Sequence, residues 1–328
     1  MIPIPPDVKT ALAADYGLTP EALTHLGGGQ EGSDGTTFSY TQDGQPRVLK
    51  ILAAPANDQN SLLRMAERLK FVHYLGQHGA RIVYPLPRAD GSLFTSRPSG
   101  EITFAAYSMQ HVAGHHPLPA QWSPALLRAW GQMVGATHRI TRQYPTWREV
   151  NVAGQQLLGW QQESQDFYDW CRDPEVKDYW LVMRAKLAAL PTQRDSFGFI
   201  HNDPHMENIL VESDSLGRHT MTLLDFDVAN CHWFITDISI ALQSVLFRVS
   251  GGMDEPLHDL PAAQRFLTHF MEGYQAENQL DPAWLGHLNL FINYRRALLF
   301  TVMQDWIETK PDLHASWKHM ILSEAQVF

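Results

Sequence analysis

The run FIHNDPHMENILV, from Phe199 to Val211, decides which fold the whole chain is expected to adopt. Within it, His201 and Asp203 precede an apolar, strand-like segment, and Asn208 follows Asp203 by five residues. A loop with an Asp and an Asn at this spacing is typical of phosphoryl-transfer sites. There the Asp accepts the proton of an attacking hydroxyl, and the Asn amide oxygen holds a divalent metal ion. The run therefore predicts Asp203 as a catalytic base and Asn208 as a metal ligand.

A second acidic segment follows after a short polar turn. The apolar run from Met221 to Leu224 ends in Asp225-Phe226-Asp227, which is typical of a strand that presents carboxylates at its end. Oxygen ligands from two different strands, together with phosphate oxygens, suit the octahedral coordination of Mg²⁺. Asp225 and Asp227 are therefore candidate metal ligands beside Asn208.

The same residues leave a second interpretation open. His201, Asp203 and His205 stand at alternate positions, and with Asp225 and Asp227 they could form the metal cluster of a hydrolase. A metallohydrolase would not require the first half of the chain, which carries features of a nucleotide site.

The first of these features is a glycine cluster. Gly27 to Gly32 fits the pattern G-x-G-x-x-G, but a strand-like run follows it where a dinucleotide-binding turn would need a helix. A glycine turn between two strands instead indicates a phosphate-covering loop, with Gly28, Gly29 and Gly32 as candidate contacts. An ordinary flexible hairpin is the alternative.

A lysine and a glutamate are the other candidate nucleotide-site residues in this half of the chain. Lys50 lies between Leu49 and Ile51 in an apolar strand, and Glu67 follows seventeen residues later on the next helix. An ion pair between them would hold the lysine against the phosphates of a nucleotide. The alternatives are a lysine at a sheet edge and a glutamate on a solvated helix face.

Up to Val112 the pattern predicts a short leading helix and then hairpin, helix, hairpin. The supporting signals are a helix over 6–16, a turn at Asp43-Gly44, apolar residues at helical spacing from Leu62 to Leu75 with a stop at Gly79, and a strand pair around Asp90-Gly91 whose second member is Ile102 to Val112.

Beyond Gly114 the chain is mostly helical. Ser123-Pro124 is a helix start that predicts a helix to about Tyr144, and Asp281-Pro282 repeats the signal. A long helical region is expected from about 155 to 190, and a β-rich segment from 197 to 226.

Composition narrows the classes of function. The 328 residues are 44% hydrophobic, which is enough for two packed lobes, and the net charge of −10 argues against a nucleic-acid partner. Residues 1–112 carry 9 basic and 10 acidic side chains, whereas 113–328 carry 16 and 25. The acidity of the second part suits a cationic or neutral partner.

Several other classes are not expected. Cys171 and Cys231 have neither metal nor redox spacing, the first residues do not resemble a signal peptide, and the most apolar stretch is interrupted by charges. A cytoplasmic location, no membrane association and no obligate protein partner follow as expectations.

Taken together, the motifs resemble those of the aminoglycoside phosphotransferase/choline kinase family. The match rests on His201 to Asn208 as H-x-D-x-x-x-x-N, on Asp225 to Asp227 as D-x-D, and on Lys50 with Glu67. The resemblance implies an α+β, bilobal protein-kinase-like fold. Residues 1–112 would form a nucleotide-binding lobe, a small antiparallel sheet with one main helix, and 113–328 a larger, mostly helical lobe that carries catalysis and acceptor binding.

The resemblance also implies roles. Asp203 would be the base, with His201 holding the loop in shape; Asn208, Asp225 and Asp227 would bind Mg²⁺. Lys50 would contact ATP, and Gln110, His111 and Val112 would form part of a hinge near 109–114 whose backbone contacts adenine. Asp237 would support the catalytic loop. His205 and Glu207 have no assigned role and are expected to face solvent.

The acceptor is expected to be a small molecule. Only twelve positions separate Asp225 from Asp237, which leaves no room for the peptide-docking segment of protein kinases, and no A-P-E sequence follows. The resemblance thus implies transfer of the γ-phosphoryl group of ATP to a hydroxyl of an amino alcohol, an aminoglycoside-like antibiotic or a metabolite. A protein Ser/Thr kinase of the same family and a catalytically idle nucleotide-binding scaffold remain the alternatives.

Overall fold

The structure is a computed structural model that describes residues 3–28, 35–117, 122–152, 154–215, 219–249 and 260–327. The chain divides into two compact units, Met1–Ala113 and Gly114–Phe328. The first is built on an antiparallel sheet and the second is mostly helical, so the expected α+β class is confirmed.

The first unit contains five antiparallel strands in the order β1-β2-β3-β5-β4. Its elements are α1 (Pro6–Ala14), β1 (Thr24–Gly28), β2 (Gly35–Gln42), β3 (Gln45–Pro55), α2 (Gln59–Gln77), β4 (Thr95–Ser99) and β5 (Ile102–Gln110). The leading helix, the hairpin around Asp43-Gly44 and the helix that stops before Gly79 are all found.

The two faces of this sheet pack against different helices. Leu49 and Ile51 of β3 belong to the core cluster that contains Leu12 of α1. Met65 of α2 packs instead in a cluster with Tyr107 of β5, and Tyr107 is paired in register with Lys50. Because directly paired residues share a face and successive ones alternate, Lys50 lies on the face covered by α2.

The prediction of a hairpin around Asp90-Gly91 is wrong. The segment does turn there, with Gly91 at φ 82° and Asp90 accepting from the Ser92 amide, but the two strands meet later, around Gly100 at φ 62°. Pro85 makes only an isolated bridge to Met109. Prolines 85 and 87 have no N–H to donate, so the segment before Asp90 cannot extend a regular ladder.

The second unit contains eight helices and three two-stranded ladders within the described ranges. The helices are α3 (Pro124–Thr141), α4 (Trp160–Trp170), α5 (Pro174–Ala188), α6 (Phe234–Val249), α7 (Leu260–Glu277), α8 (Leu288–Val302), α9 (Gln304–Ile307) and α10 (Pro311–Leu322). The paired strands are β6 (Val150–Val152) with β7 (Gln155–Leu158), β8 (Phe197–Ile200) with β11 (Asn230–Trp233), and β9 (Ile209–Ser213) with β10 (His219–Leu223).

The single helical region expected over 155–190 is wrong in two places. Its first residues form β7, and the helix is then broken between α4 and α5. Asp173 caps the start of α5, because its side chain accepts hydrogen bonds from the backbone N–H groups of Glu175 and Val176. Pro174 occupies the first helical position. This is the same signal that Ser123-Pro124 supplies for α3, where Ser123 accepts from the Leu126 amide.

Helices α3 and α7 approach closely because glycines lie where they touch. A Cβ at Gly131 would lie 1.9 Å from Phe270 O and 2.8 Å from Tyr274 N, and one at Gly273 would lie 2.0 Å from Arg128 O. Backbone atoms cannot withdraw as a flexible side chain could, so these positions accept no side chain without separating the helices.

Gly131→Ala is therefore expected to destabilise the protein by about 1–3 kcal/mol, the usual effect of overpacking, despite the better helix propensity of alanine. Thermal unfolding followed by circular dichroism should show a lower Tm. Gly286→Ala is the matched control, since no neighbouring heavy atom lies within 4 Å of its Cβ position. Equal Tm values for the two variants would contradict the close approach.

None of the helices in the described part of the chain combines the length and the hydropathy that a bilayer-spanning segment requires.

Candidate active site

The predicted catalytic loop joins two ladders of the second unit. It leaves β8, which pairs with β11, and enters β9, which pairs with β10, through a short 3₁₀ turn at Met206–Asn208. Phe199 and Ile200 before the loop and Ile209 after it are fully buried. The loop is therefore anchored at both ends by core residues, while Asp203, Asn208 and His205 between them keep partial exposure.

Asp237 of α6 holds the start of this loop. Its Oδ1 accepts from the Asn202 backbone N–H at 2.8 Å, and its Oδ2 accepts from the His201 N–H at 3.2 Å. Asn202 has a φ of 68°, a left-handed conformation that costs energy for a residue other than glycine and that Asn tolerates better than most. The buried carboxylate of Asp237 thus stabilises a strained backbone immediately before Asp203, a supporting role.

Both ring nitrogens of His201 form hydrogen bonds with backbone groups. Its Nδ1 accepts from the Asp203 N–H at 3.1 Å, so the proton resides on Nε2, which lies 2.7 Å from Leu224 O. A metal ion would have to displace one of these bonds. Within the described ranges no group of three or more His, Cys, Asp or Glu residues could hold a metal ion. The geometry gives the metallohydrolase interpretation no support.

The carboxylate of Asp203 is held by an ion pair that the local motif does not reveal. Arg295 Nη2 lies 2.5 Å from its Oδ1. Burial opposes ionisation of this group, but the Arg295 guanidinium and the His205 side chain outweigh it and hold the pKa of Asp203 below its usual range. The carboxylate is therefore ionised at neutral pH and able to accept a proton.

His205 is partly exposed, with 30% of its side chain accessible, but it does more than face solvent. Its Nδ1 accepts from the Glu207 N–H, which leaves the proton on Nε2, and Nε2 lies 3.5 Å from Asp203 Oδ2. His205 thus lies beside the second carboxylate oxygen of Asp203. Glu207 is exposed, as expected, and is paired with Arg248.

A second carboxylate, Glu163 of α4, connects the loop to the surrounding helices. Its Oε2 accepts from Asn202 Nδ2 at 2.5 Å and from Asn230 Nδ2 at 3.0 Å, and its Oε1 accepts from the Tyr294 hydroxyl at 2.6 Å. Burial and the Glu163 charge raise the pKa of Tyr294 well above its usual range, so the hydroxyl keeps the proton it donates. Asn202 is fixed by its side chain as well as by its backbone.

Two of the three predicted metal ligands, Asn208 and Asp225, lie at the same end of the β9–β10 hairpin. Leu223 pairs with Ile209, and the Leu224 N–H donates to Asn208 O at 2.8 Å. Asn208 therefore lies just before β9 and Asp225 just after β10, at adjacent strand ends. Asn208 Nδ2 donates to Asp203 O at 3.0 Å, which orients the amide so that Oδ1 is the atom that could accept a metal ion.

Asp225 itself has a φ of 56° and an exposed side chain, whereas the next residue, Phe226, is buried and its ring centroid lies 4.3 Å from that of His201. The buried ring anchors the turn that presents Asp225; Asp227 is half-buried. An amide oxygen and carboxylates are the hard ligands that Mg²⁺ takes together with phosphate oxygens, so the residues fit this ion.

The predicted nucleotide-contacting residues lie in the first unit. Lys50 is only 8% exposed, and Glu67 of α2 pairs with Lys70 at 2.5 Å, on the helix that covers the face of Lys50. An ion pair between Lys50 and Glu67 stays a prediction. Gln110 ends β5, paired with Arg47; His111 is exposed and Val112 half-buried.

Of the predicted glycine contacts, Gly28 has a φ of 73°, and a Cβ there would lie 2.1 Å from Gly35 O. Only glycine can close β1 against β2 at this point. Gly29 and Gly32 lie outside the described residues.

Comparison with known proteins agrees with this geometry. A sequence profile of a phosphotransferase enzyme family matches residues 28–275. The amicoumacin kinase of Bacillus subtilis (strain 168) is 26% identical over 307 residues, which is 92% of this chain and 85% of that protein.

Solved structures show the same architecture. The amicoumacin kinase hAmiN, in complex with AMP-PNP, Ca²⁺ and Ami, superposes with a TM-score of 0.78 at 25% identity, covering 97% of this chain and 92% of the other. A microcompartment-associated aminopropanol kinase gives a TM-score of 0.70 at 16% identity, covering 98% and 99%. The protein-kinase-like fold expected from the motifs is therefore confirmed, and the chain belongs to the phosphotransferase enzyme family.

Proposed function

We propose that this protein is an ATP- and Mg²⁺-dependent kinase that transfers the γ-phosphoryl group of ATP to a hydroxyl group of a small molecule. The observation that carries the proposal is the loop geometry of the second unit. An ionised Asp203 carboxylate lies on a loop fixed by Asp237 and His201, and Asn208 and Asp225 stand together at the adjacent hairpin end.

In this function Asp203 accepts the proton of the acceptor hydroxyl as the phosphoryl group moves to that oxygen. The loop keeps the carboxylate in place, because its backbone is bound by Asp237 and its side chain by Arg295. Most of the catalytic effect in phosphoryl transfer comes from such positioning and from electrostatic stabilisation.

Asn208 Oδ1 and the Asp225 carboxylate would hold Mg²⁺, with Asp227 as a further ligand or hydrogen-bond acceptor. A Mg²⁺ ion held there would neutralise charge on the phosphate oxygens. Lys50 would contact the phosphates, aided by Glu67; Gly28, Gly29 and Gly32 would cover them, and the backbone of Gln110, His111 and Val112 would contact adenine.

The relatives supply the first acceptor to test. Two similar proteins are named amicoumacin kinases, and each aligns over more than nine tenths of this chain. We therefore propose an amicoumacin-like antibiotic, or another small hydroxyl compound, as the acceptor. The acidic second unit is compatible with an amino group elsewhere on such a molecule.

The proposal is tested by thermal unfolding with and without Mg·ATP, followed by ADP formation with amicoumacin and a panel of aminoglycosides, spectinomycin, choline and homoserine. A ligand that binds only the native state increases the free energy of unfolding by mass action, by about 2.7 kcal/mol when its concentration is a hundred times Kd. The Tm rises as a result. We expect a Tm increase with Mg·ATP and ADP formation that depends on one class of acceptor.

Two results would contradict the proposal. The absence of a Tm shift at several millimolar Mg·ATP would exclude the nucleotide site. Labelling of protein in place of a small molecule, with γ-³²P-ATP as donor, would favour the protein kinase alternative.

A further inference from the structure

Arg295 approaches the base from a helix whose rotation is fixed on both sides. The flanking residues of α8 are committed elsewhere: Tyr294 donates to Glu163, and Arg296 Nη1 donates to Asn293 Oδ1 and to Ala325 O. Tyr294 is 1% exposed and Arg296 3% exposed. The backbone of Arg295 therefore cannot turn away from the loop without breaking buried contacts on either side.

The ion pair itself is largely shielded from water. The Arg295 side chain is 14% exposed and the Asp203 side chain 22%, with 2.5 Å between Nη2 and Oδ1. Ion pairs at the surface contribute little because the side chains are mobile and solvated. Partial burial and a fixed helix reduce both effects at this pair. The Arg295 guanidinium is therefore a structurally fixed component of the site.

The other groups around Asp203 leave this cation as the dominant positive charge. The Nδ1 atoms of His201 and His205 each accept a backbone N–H, and Arg295 is the largest charge contribution that lowers the pKa of Asp203. The carboxylate of Glu163 is bound by three neutral donors, and that of Asp237 faces the backbone of the loop and His138.

A hydroxyl that donates to Asp203 lies about 2.7 Å from one of its oxygens. A substituent on the next carbon of the acceptor then lies within several ångströms of the guanidinium. Because Arg295 already compensates the Asp203 charge, an ammonium group there would find no net negative charge and would face the guanidinium. A hydroxyl, carbonyl or carboxylate oxygen could instead accept a hydrogen bond from the guanidinium, which has five N–H donors.

We propose that Arg295 positions the Asp203 carboxylate and selects acceptors that carry an oxygen, and not an ammonium group, on the carbon next to the reacting hydroxyl. The inference rests on the proposed function and narrows it to one class of acceptor. Amino groups farther along the molecule remain compatible with it.

The test compares wild type with Arg295→Gln and Arg295→Lys, and uses Arg128→Gln as the matched control. Arg128 forms an exposed ion pair with Glu272 between α3 and α7. ADP formation is measured with water alone as acceptor and with pairs that differ next to one hydroxyl: 1,2-propanediol against 1-amino-2-propanol, and glucose against glucosamine. Mg·ATP binding is measured in parallel by thermal shift.

In wild type, we expect the oxygen-bearing member of a pair to react at least about tenfold faster than its amino partner. Arg295→Gln should lower kcat with water and with acceptors about 100-fold at unchanged KM for Mg·ATP, and should reduce the preference within a pair to near unity. Arg295→Lys should restore part of the rate, and Arg128→Gln should match wild type.

Faster reaction of the amino partners in wild type, or an undiminished preference in Arg295→Gln, would overturn the proposal. A failure of the proposed function is distinguishable, because it would abolish the Mg·ATP thermal shift in wild type as well as in the variants.

Discussion

Asp203→Asn is expected to reduce kcat by about three orders of magnitude, since general base catalysis by a positioned side chain contributes about 10²- to 10⁴-fold. The substitution keeps the size and shape of the side chain but removes the site that accepts the hydroxyl proton. The measurement is steady-state ADP formation with saturating Mg·ATP and the acceptor identified by the panel.

The same variant should bind Mg·ATP nearly as well as wild type. The hydrogen bond from Asn208 Nδ2 is accepted by the backbone oxygen of Asp203, so this bond and the orientation of the proposed metal ligand are kept when the carboxylate becomes an amide. A loss of kcat with an unchanged thermal shift by Mg·ATP is the signature of a group that acts in the transition state. Unchanged kcat would exclude Asp203 as the base.

Asp203→Asn also removes the anionic partner of Arg295, which then remains partly buried without its counter-charge. A modest fall in Tm is therefore expected. Arg128→Gln is the control, because it breaks an ion pair of similar type at an exposed position. A change in its activity measures the effect of a loss of stability alone.

The placement of Asn208 and Asp225 near the Asp203 loop was predictable from the sequence, because the chemistry proposed for these residues requires them at short, fixed spacing. Asn208 must follow Asp203 at the mouth of the next strand, and Asp225 must end the strand that pairs with it. Both lie at the same hairpin end in the structure. A local sequence pattern was enough to place Asn208 near Asp225, because the two residues lie at the ends of adjacent strands.

Arg295 and Glu163 were not predictable by the same means. Arg295 meets Asp203 across 92 residues of sequence, and Glu163 meets Asn202 across 39, through helices whose approach depends on tertiary packing. In sequence each is an ordinary charged residue on a helix. The one local signal was Asn202 itself, since an Asn in a tight loop commonly adopts positive φ and then offers an amide that needs a partner.

The errors in secondary structure have a related cause. Asp173-Pro174 carries the same helix-start signal as Ser123-Pro124, but it lies inside a stretch of continuous helical periodicity that hides the break. At Asp90-Gly91 the turn residues do turn the chain, yet whether a turn joins paired strands depends on the partner strand. Turn chemistry alone does not specify pairing.

Asp225→Asn is expected to weaken Mg²⁺-dependent nucleotide binding and to reduce kcat/KM for Mg·ATP by about 10²- to 10³-fold. A metal ion that neutralises phosphate charge contributes several kcal/mol, and each 1.4 kcal/mol corresponds to about a factor of ten. Asn keeps a ligating oxygen but loses the charge that attracts the cation. The measurement is the Tm shift by ATP as a function of Mg²⁺ concentration.

Asn is chosen because the backbone at Asp225 has a φ of 56°, which Ala would adopt at a greater cost. Asp43→Asn provides the control: Asp43 has a φ of 53° in the exposed turn between β2 and β3, so it tests the same exchange at the same backbone conformation. If Asp43→Asn leaves nucleotide binding intact and Asp225→Asn requires far more Mg²⁺, the loss comes from the carboxylate. Equal Mg²⁺ dependence in both variants would remove Asp225 from the metal site, and Asp227 would then be the remaining carboxylate of the D-x-D motif to supply the charge.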